Sequence, residues 1–292
     1  MNSDAAVGGG GAADAFSAGY EPLRAGRPQL GEACLLPLDS RIFRFGVADY
    51  RVAPIDAGPP SPEELRAELT GWARRHGVEL IGCRVPASHV GRVEALQEAG
   101  FRFVELQLRA TLPRLRAEAL RPSRLTVRPG APADTERIRE IANSAFDFGR
   151  YHADARFPRA LADLRYREWV GRALAEPSAG TRMIVVGPPE RASGFLHAEV
   201  EGGRADIRLA AVAREQGGIA GPELFRGALR LLAEEGTGQA TARVSAGNTP
   251  VLNVYAALGF RFHDPDIVLH WHAPESRHLE PLEGRPADPG AR

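Results

Sequence analysis

The sequence predicts an α/β protein made of two unequal halves. Three observations carry that expectation. Strand-like runs alternate with helical spacing of apolar residues along most of the chain. One junction occurs twice: Ala99-Gly100-Phe101 and Leu258-Gly259-Phe260 each follow a helical pattern and lead into a strand. With 43% apolar and 25% charged residues, the 292-residue chain has a globular composition and the length for one large or two small domains.

Composition excludes several classes of function. Acidic and basic residues balance at 37 each, so no global field draws nucleic acid or an anionic membrane. The cations are all Arg, a coding bias of GC-rich genomes. Cys34 and Cys83 make neither a disulfide framework nor a metal cluster, and the reduced cytoplasm is the expected setting. No run reaches the ~18 consecutive apolar residues of a membrane span. Residues 1–31 are Gly/Ala-rich without periodicity, and Met1 to Ala15 lacks the basic region and apolar core of a signal peptide. They are expected to form a flexible tail, as is the polar, Pro-rich segment 274–292.

The first half covers residues 32–113. Phe43 to Val52 reads as a strand. Ser61-Pro62-Glu63-Glu64 opens a helix with a cap, a first-turn Pro and early acids. Leu65, Leu69, Trp72 and Ala73 continue it at helical spacing. Val78 to Cys83 is a strand, and Val90 to Ala99 a helix stopped by Gly100. Phe101 to Leu112 alternates between a greasier and a more polar face, as a strand does. The basic, Pro-flanked segment Pro113 to Arg124 joins the halves.

The second half covers residues 124–273. Leu125 to Arg128 is a strand, followed by a turn and a helix with Ile138, Ile141, Ala142 and Ala145 on one face. Ala160 to Leu174 is a further helix. Strands follow at Arg182–Val186, Gly194–Val200 and Ala205–Val212. A helix runs from Pro222 to about Glu234 and a strand from Ala240 to Ser245. A short helix then begins after Asn248, with Thr249 as its expected cap, Pro250 in its first turn and Gly259 as its left-handed stop. Asp266 to His272 is the last strand.

The run Asn248, Tyr255, Leu258-Gly259-Phe260 resembles the C-terminal signature of the GCN5-related N-acetyltransferases (GNAT enzymes). The order of elements over residues 125–272 matches that superfamily too. The resemblance implies a mixed, mostly antiparallel sheet flanked by helices, with the first half a smaller, degenerate copy. It implies acetyl-CoA as cofactor and direct attack of an amine on the bound thioester. It puts Asn248 beside the pantetheine arm and the Tyr255 hydroxyl where it protonates the departing thiolate. By spacing alone, Tyr255 shares a helix face with Val251, Val254 and Leu258, which suits a core tyrosine equally.

A loop opening a helix suits a pyrophosphate, because free N–H groups and the helix dipole both favour an anion. The candidate is Ala211 and Val212 at a strand end, then Gln216, Gly217, Gly218, Ile219, Ala220 and Gly221. It departs from the superfamily pattern of Gln or Arg, two residues, Gly, one residue, then Gly or Ala. Counting from Gln216 puts Ile219 where Gly belongs; counting from Glu215 puts an acid where a base or amide belongs. A plain Gly-rich turn is the alternative. For deprotonating the amine, Glu199 and His197 share one face of a strand and Asp206 starts the next. Any of them can relay a proton, and each also suits a paired strand residue.

Phe146 to Phe157, continuing to Tyr166 and Trp169, interleaves aromatic residues with Arg and His; its Arg150, Tyr151, His152, Asp154, Phe157, Tyr166 and Trp169 resemble the TDP-fucosamine acetyltransferase branch. The resemblance makes it the cover of an acceptor that is a nucleotide-linked amino deoxysugar; an amphipathic helix pair with core aromatics is the alternative. His270 and His272 alternate on one strand face without a third ligand spaced to complete a metal site, so no metal is expected. The expected partner is a small-molecule amine, with a homodimer an open option and neither nucleic acid nor membrane. Two other functions remain: an inactive GNAT-fold binding module, and an N-acyltransferase for an amino-acid or peptide amine.

Overall fold

The computed structural model describes residues 19–24, 26–54, 58–188, 191–274 and 276; most of both expected tails lies outside the described residues. It divides into two units. One holds the described residues through Val85 together with 89–103 and 269–276, the other 86–88 and 104–268. This differs from a simple cut between residues 113 and 124, because three strands contribute residues to both units.

The first unit starts inside the stretch expected to be tail. β1 (Glu21–Pro22) pairs antiparallel with β2 (Glu32–Leu35). Leu23 and Leu30 are 1% and 0% exposed, and Tyr20 donates to Asp49 at 2.6 Å. Two apolar anchors and one hydrogen bond thus order residues that carry no periodicity. The helix α1 (Pro37–Phe43) follows, ended by Arg44 in the left-handed region. It occupies the start of the segment expected to be strand, so β3 spans only Gly46–Arg51.

α2 (Pro62–His76) forms as its sequence dictates. Ser61 accepts from the Glu64 N–H, Pro62 fits the first turn, and Gly77 closes the helix at φ 64°. Leu65, Leu69, Trp72 and Ala73 are its buried face. Each such buried large side chain contributes on the order of 1.5–3 kcal/mol. β4 (Val78–Pro86) lies parallel to β3, with pairs from Gly46↔Val78 to Tyr50↔Cys83. α3 (Val90–Glu98) ends at Gly100, whose φ is 107°. The sheet order of this unit is β1-β2-β3-β4, completed by residues 269–272 of the last strand, where Ala273 donates to the Glu79 carbonyl at 2.9 Å.

The second unit takes up residues 104–112 of β5 (Arg102–Leu112), then β6 (Val127–Pro129), α4 (Thr135–Ala142), α5 (Arg150–Ala153) and α6 (Arg159–Ala175). β7 (Thr181–Val186), β8 (Gly194–Glu201) and β9 (Arg204–Val212) form the expected three antiparallel strands. α7 (Gly217–Glu234), β10 (Gln239–Ser245), α8 (Thr249–Ala257) and β11 (Arg261–His272) complete it. The order is β11-β5-β10-β9-β8-β7-β6, mixed and mostly antiparallel.

Alternation along the strands builds a core on each face. Leu196, Ala198, Ala205, Ile207, Ala240 and Ala242 pack with α7 and α8. Met183, Val185, Phe195, Leu209 and Ala211 pack with α4 and α6. α7 starts five residues earlier than Pro222, so the expected Gly-rich loop is the first turns of a helix. Pro222 sits inside that helix, where its missing N–H withdraws the usual bond to the Gly218 carbonyl.

Candidate active site

The site begins with a register event. β9 and β10 run parallel, as strands joined by a crossover helix do, but pair only from Arg204↔Gln239 to Ile207↔Ala242. β10 continues beside β5 to Ser245↔Gln107, while β9 continues beside β8 to Val212↔Gly194. The two strands therefore part at their carboxyl ends, where open α/β sheets bind ligands. The β8–β9 ladder passes from Ala198↔Ile207 to His197↔Leu209, so Arg208 is an extra, bulged residue at that level. A bulge bends its strand and raises its local twist. Beyond it, residues 208–212 and 243–245 turn unladdered backbone edges toward the opening.

α8 follows β10. Asn248, not Thr249, is its cap: the Asn248 Oδ1 accepts from the Val251 N–H at 3.3 Å. Tyr255 lies one and a half turns in and is 3% exposed. Its ring meets Phe225 edge-on at 5.1 Å and Phe260 at 4.6 Å. Burial pushes the phenol well above its usual range, and the Asp206 carboxylate adds to the rise. The hydroxyl therefore keeps its proton at any ordinary pH. The ring belongs to the core, while the field of Asp206 reaches it from β9.

α7 follows β9 through a 3-10 turn at Arg214–Gln216. Gln216 is the cap residue but makes no side-chain cap bond, and the first turn holds no acid. Gly218 and Gly221 would meet nothing within 4 Å if a Cβ were added. Ile219 is 67% exposed and Ala220 is buried. Ala211 is buried in the core on the α4 and α6 side, and Val212 is half-buried beside the core facing α7.

Glu199 accepts from Thr181 at 2.8 Å and Ser178 at 2.9 Å, and lies 3.1 Å from the His197 Nε2. Burial works to raise its carboxyl, but these hydrogen bonds prevail and hold it below the usual range. His197 is 3% exposed, and burial lowers its basicity against the pull of Glu199. Asp206 pairs with Arg208 at 3.3 Å.

Arg150, Tyr151 and His152 are buried on α5. The Arg150 guanidinium lies 4.8 Å over the Tyr151 ring, Tyr151 packs on Phe157 at 5.0 Å, and the His152 Nε2 meets Asp163 at 2.9 Å. Phe148, two residues before α5 and inside the expected acceptor segment, is exposed instead, and with the Ser245 hydroxyl is nearest to the Gly247 position before the Asn248 cap.

A crystal structure of a GCN5-related N-acetyltransferase from Sphaerobacter thermophilus matches with a TM-score of 0.59 at 16% identity, covering 84% of this chain and 77% of that one. A tandem GNAT protein from the clavulanic acid biosynthesis pathway matches with 0.53 at 18% identity, over 84% and 80%. The chain has the GNAT fold. In sequence it is similar to the dTDP-fucosamine acetyltransferase of Escherichia coli O6:H1, 27% identical over 194 residues, which are 65% of this chain and 78% of that protein. No family model matches. By sequence and by fold, these relatives of the GNAT-fold chain are acetyltransferases, which are acyl-transferring enzymes.

Sequence reading includes Arg214 in the candidate loop 212–221 but does not count the pattern from it. Arg214 opens the 3-10 turn that leads into α7, and counting the GNAT pattern from it puts Gly217 in register and leaves Ile219 as the one departure. Its guanidinium bonds the Ser144 carbonyl at 2.6 Å and Asp147 at 3.0 Å, and Asp147 also bonds Arg159. The turn is thus tied to the segment that opens α6. Among the described residues, no helix is long and apolar enough to cross a membrane.

Proposed function

We propose that this chain is an acetyl-CoA-dependent N-acetyltransferase for the amine of a small molecule, with a nucleotide-linked amino deoxysugar as the first acceptor to test. The observation that carries the reading is the parting of β9 from β10. An uncapped helix start follows one strand, and Asn248 and Tyr255 follow the other. The sugar class is drawn from the dTDP-fucosamine acetyltransferase relative.

The residues suit the cofactor. The unladdered edges beyond Ile207 and Ala242 offer N–H and C=O groups to an amide-bearing arm lying between the strands, as an added strand would. Asn248 stands at the entry of that opening. The N–H groups of the first turn of α7 lack partners within the helix and suit a pyrophosphate. Acetyl-CoA supplies an acyl group already activated as a thioester. Tyr255, held protonated, gives the proton that the sulfur takes on leaving. Glu199 anchors the proton path from the amine. Arg150, Tyr151 and His152 frame the acceptor segment from within, with Phe148 at its surface.

Calorimetry tests the donor half of this reading. Acetyl-CoA is titrated into the intact protein and into a Gly218→Glu, Gly221→Glu variant. Both positions have room for a side chain, so the variant keeps its fold while carboxylates enter the anion site. Saturable binding weakened by about 100-fold, or ~2.7 kcal/mol, is expected. A folded wild type that binds no acetyl-CoA overturns the reading. Binding of the donor with transfer only to amino-acid or peptide amines would retain the enzyme and replace the sugar.

A further inference from the structure

Two arginines face each other across the antiparallel pair of β5 and β10. The ladder sets Thr111 against Thr241, Arg109 against Arg243 and Gln107 against Ser245. Ala110, Leu112, Ala240, Ala242 and Val244 lie in the core with α7 and α8, so alternation turns those six polar residues to the other face. There Arg243 is exposed and the other five are half-buried. The core that packs with α4 and α6 takes its strand residues from β7, β8 and β9, and among the described residues none from β5 or β10. A polar stretch of sheet thus carries this face on beyond that core.

Like charges directly opposite on a ladder repel, so the pair is costly without anions. The acids nearby answer it unequally. Arg243 forms an ion pair with Asp266 of β11. Asp264 lies within electrostatic reach of both guanidiniums, but its carboxylate is bonded to the His263 Nδ1 at 2.8 Å. The His263 Nε2 in turn meets the Thr111 hydroxyl at 2.8 Å. On β9, Asp206 and Arg208 neutralise each other at 3.3 Å. Arg109 itself has no hydrogen bond or ion pair among the described residues. A guanidinium offers five donors in a fork that matches a phosphate. The place of the pair matters as much as its charge. Arg243 is the first residue of β10 past the last pair with β9, Ile207↔Ala242, so the two arginines stand where the strands part.

We propose that Arg109 and Arg243 form the subsite for the diphosphate of a nucleotide-linked acceptor, and that Arg109 is the residue that selects a phosphorylated amine over a bare one. The inference rests on the acetyl-transfer reading and deepens it on the acceptor side. Two linked phosphates present acceptor oxygens to both guanidiniums at once, and their charge relieves the repulsion that Asp266 offsets only in part. In such an acceptor one sugar ring separates the diphosphate from the amine, so an anion held where the strands part leaves the amine free to enter the opening. The subsite lies on the face of the sheet away from α7. A donor pyrophosphate at the start of α7 and an acceptor diphosphate here therefore use different residues.

Calorimetry on the full chain reads the subsite, with thymidine diphosphate as the probe and acetyl-CoA saturating so that the donor's own anion site is filled. The wild type should bind the probe, and Arg109→Gln should weaken it by about 10-fold or more while acetyl-CoA affinity holds. Arg109→Lys, which keeps the charge and loses the fork, should fall between them. Thymidine, without phosphates, should not distinguish the variants. In melts without ligand Arg109→Gln should be at least as stable as the wild type, because it removes a like-charge pair. With a nucleotide-linked amino sugar, Arg109→Gln should raise KM by more than it lowers kcat. Thymidine diphosphate binding that is absent, or equal in wild type and Arg109→Gln, overturns the inference while leaving acetyl transfer standing. Inorganic pyrophosphate bound as tightly as thymidine diphosphate, with the same dependence on Arg109, would make the pair a free-anion site and overturn its acceptor role. A wild type that binds no acetyl-CoA instead sinks the reading beneath it.

Discussion

The same run of elements occurs twice along the chain: strand, helix, parallel strand, helix, glycine, strand. It is first β3–α2–β4–α3–Gly100–β5 and then β9–α7–β10–α8–Gly259–β11. The parallel pairs differ. β3 stays against β4 through Tyr50↔Cys83, one residue short of its end. β9 leaves β10 after Ile207↔Ala242, with five of its residues still to come. A continuous ladder satisfies its own backbone and leaves nothing for a ligand, whereas a parted one exposes two edges at the carboxyl ends of the strands. The helices that follow carry the same contrast. Counting back four residues from the glycine gives Tyr255 on α8 and Leu96 on α3. One run thus carries a buried phenol on the helix after a parted pair, the other a buried aliphatic on the helix after a closed pair.

The largest expected effect tests that difference directly. Tyr255→Phe should lower kcat by ~10²–10⁴-fold with unchanged acetyl-CoA affinity, because only the proton is removed. Its thermal stability should stay close to wild type, since the ring keeps its contacts with Phe225 and Phe260. Leu96→Ala should do the reverse. It empties a buried site at a cost of ~2–5 kcal/mol and leaves kcat per folded molecule alone. Steady-state kinetics beside thermal melts reads both. A Tyr255→Phe enzyme at full rate would erase the functional contrast between the copies.

What the sequence made legible follows the range of each signal. The start of α2 is readable because Ser61, Pro62 and the early acids act within a few positions of one another, whereas its close at Gly77 was not read. α1 was not: a seven-residue helix between Pro37 and Arg44 has too few turns to show a period. The start of α7 was misjudged because Gly217, Gly218 and Gly221 are weak helix formers and Pro222 is a typical first-turn residue. The parting of β9 and β10 and the bulge at Arg208 depend on register between strands far apart in sequence. Asn248 and Tyr255 came from a motif resemblance; the structure makes the first the cap of α8 and buries the second. The burial of His197, Tyr151 and His152 is a property of packing alone.

A middle-sized effect separates the units by pH. The pKa of His197 is lowered in the fold, so between its folded value and ~6.5 the unfolded chain binds more protons. Stability is full above that window and falls as pH drops through it. The carboxyl of Glu199 is lowered too, so its contribution is present above ~4.5 and is lost as pH falls through the folded value. Both act in the second unit and with the same sign. Hydrogen exchange should therefore show β8 amides losing protection as pH falls below ~6.5, and β3 amides changing less. The His197→Gln protein should lack the upper part of this acid response. Equal loss in β3 and β8 would mean that the titrating groups are not confined to the open copy.

The smallest effect concerns the two helix caps, which hold matching positions eleven residues before Gly100 and Gly259. Asn248 accepts from the Val251 N–H, so Asn248→Ala should cost about 1 kcal/mol. His89 caps α3 without a side-chain bond, so His89→Ala should cost close to nothing by the same mechanism. Replacing it with a competent cap, His89→Asn, should stabilise the first unit by up to about 1 kcal/mol. Denaturant melts of the three variants measure this. The comparison also divides the roles of Asn248. If it serves only as a cap, Asn248→Asp and Asn248→Ser, which cap equally well, should bind acetyl-CoA as the wild type does. If its amide also meets the pantetheine arm, those two variants keep their melting points and lose affinity. That result would add Asn248 to Tyr255 as a residue whose counterpart in the first unit has kept the helix and given up the chemistry.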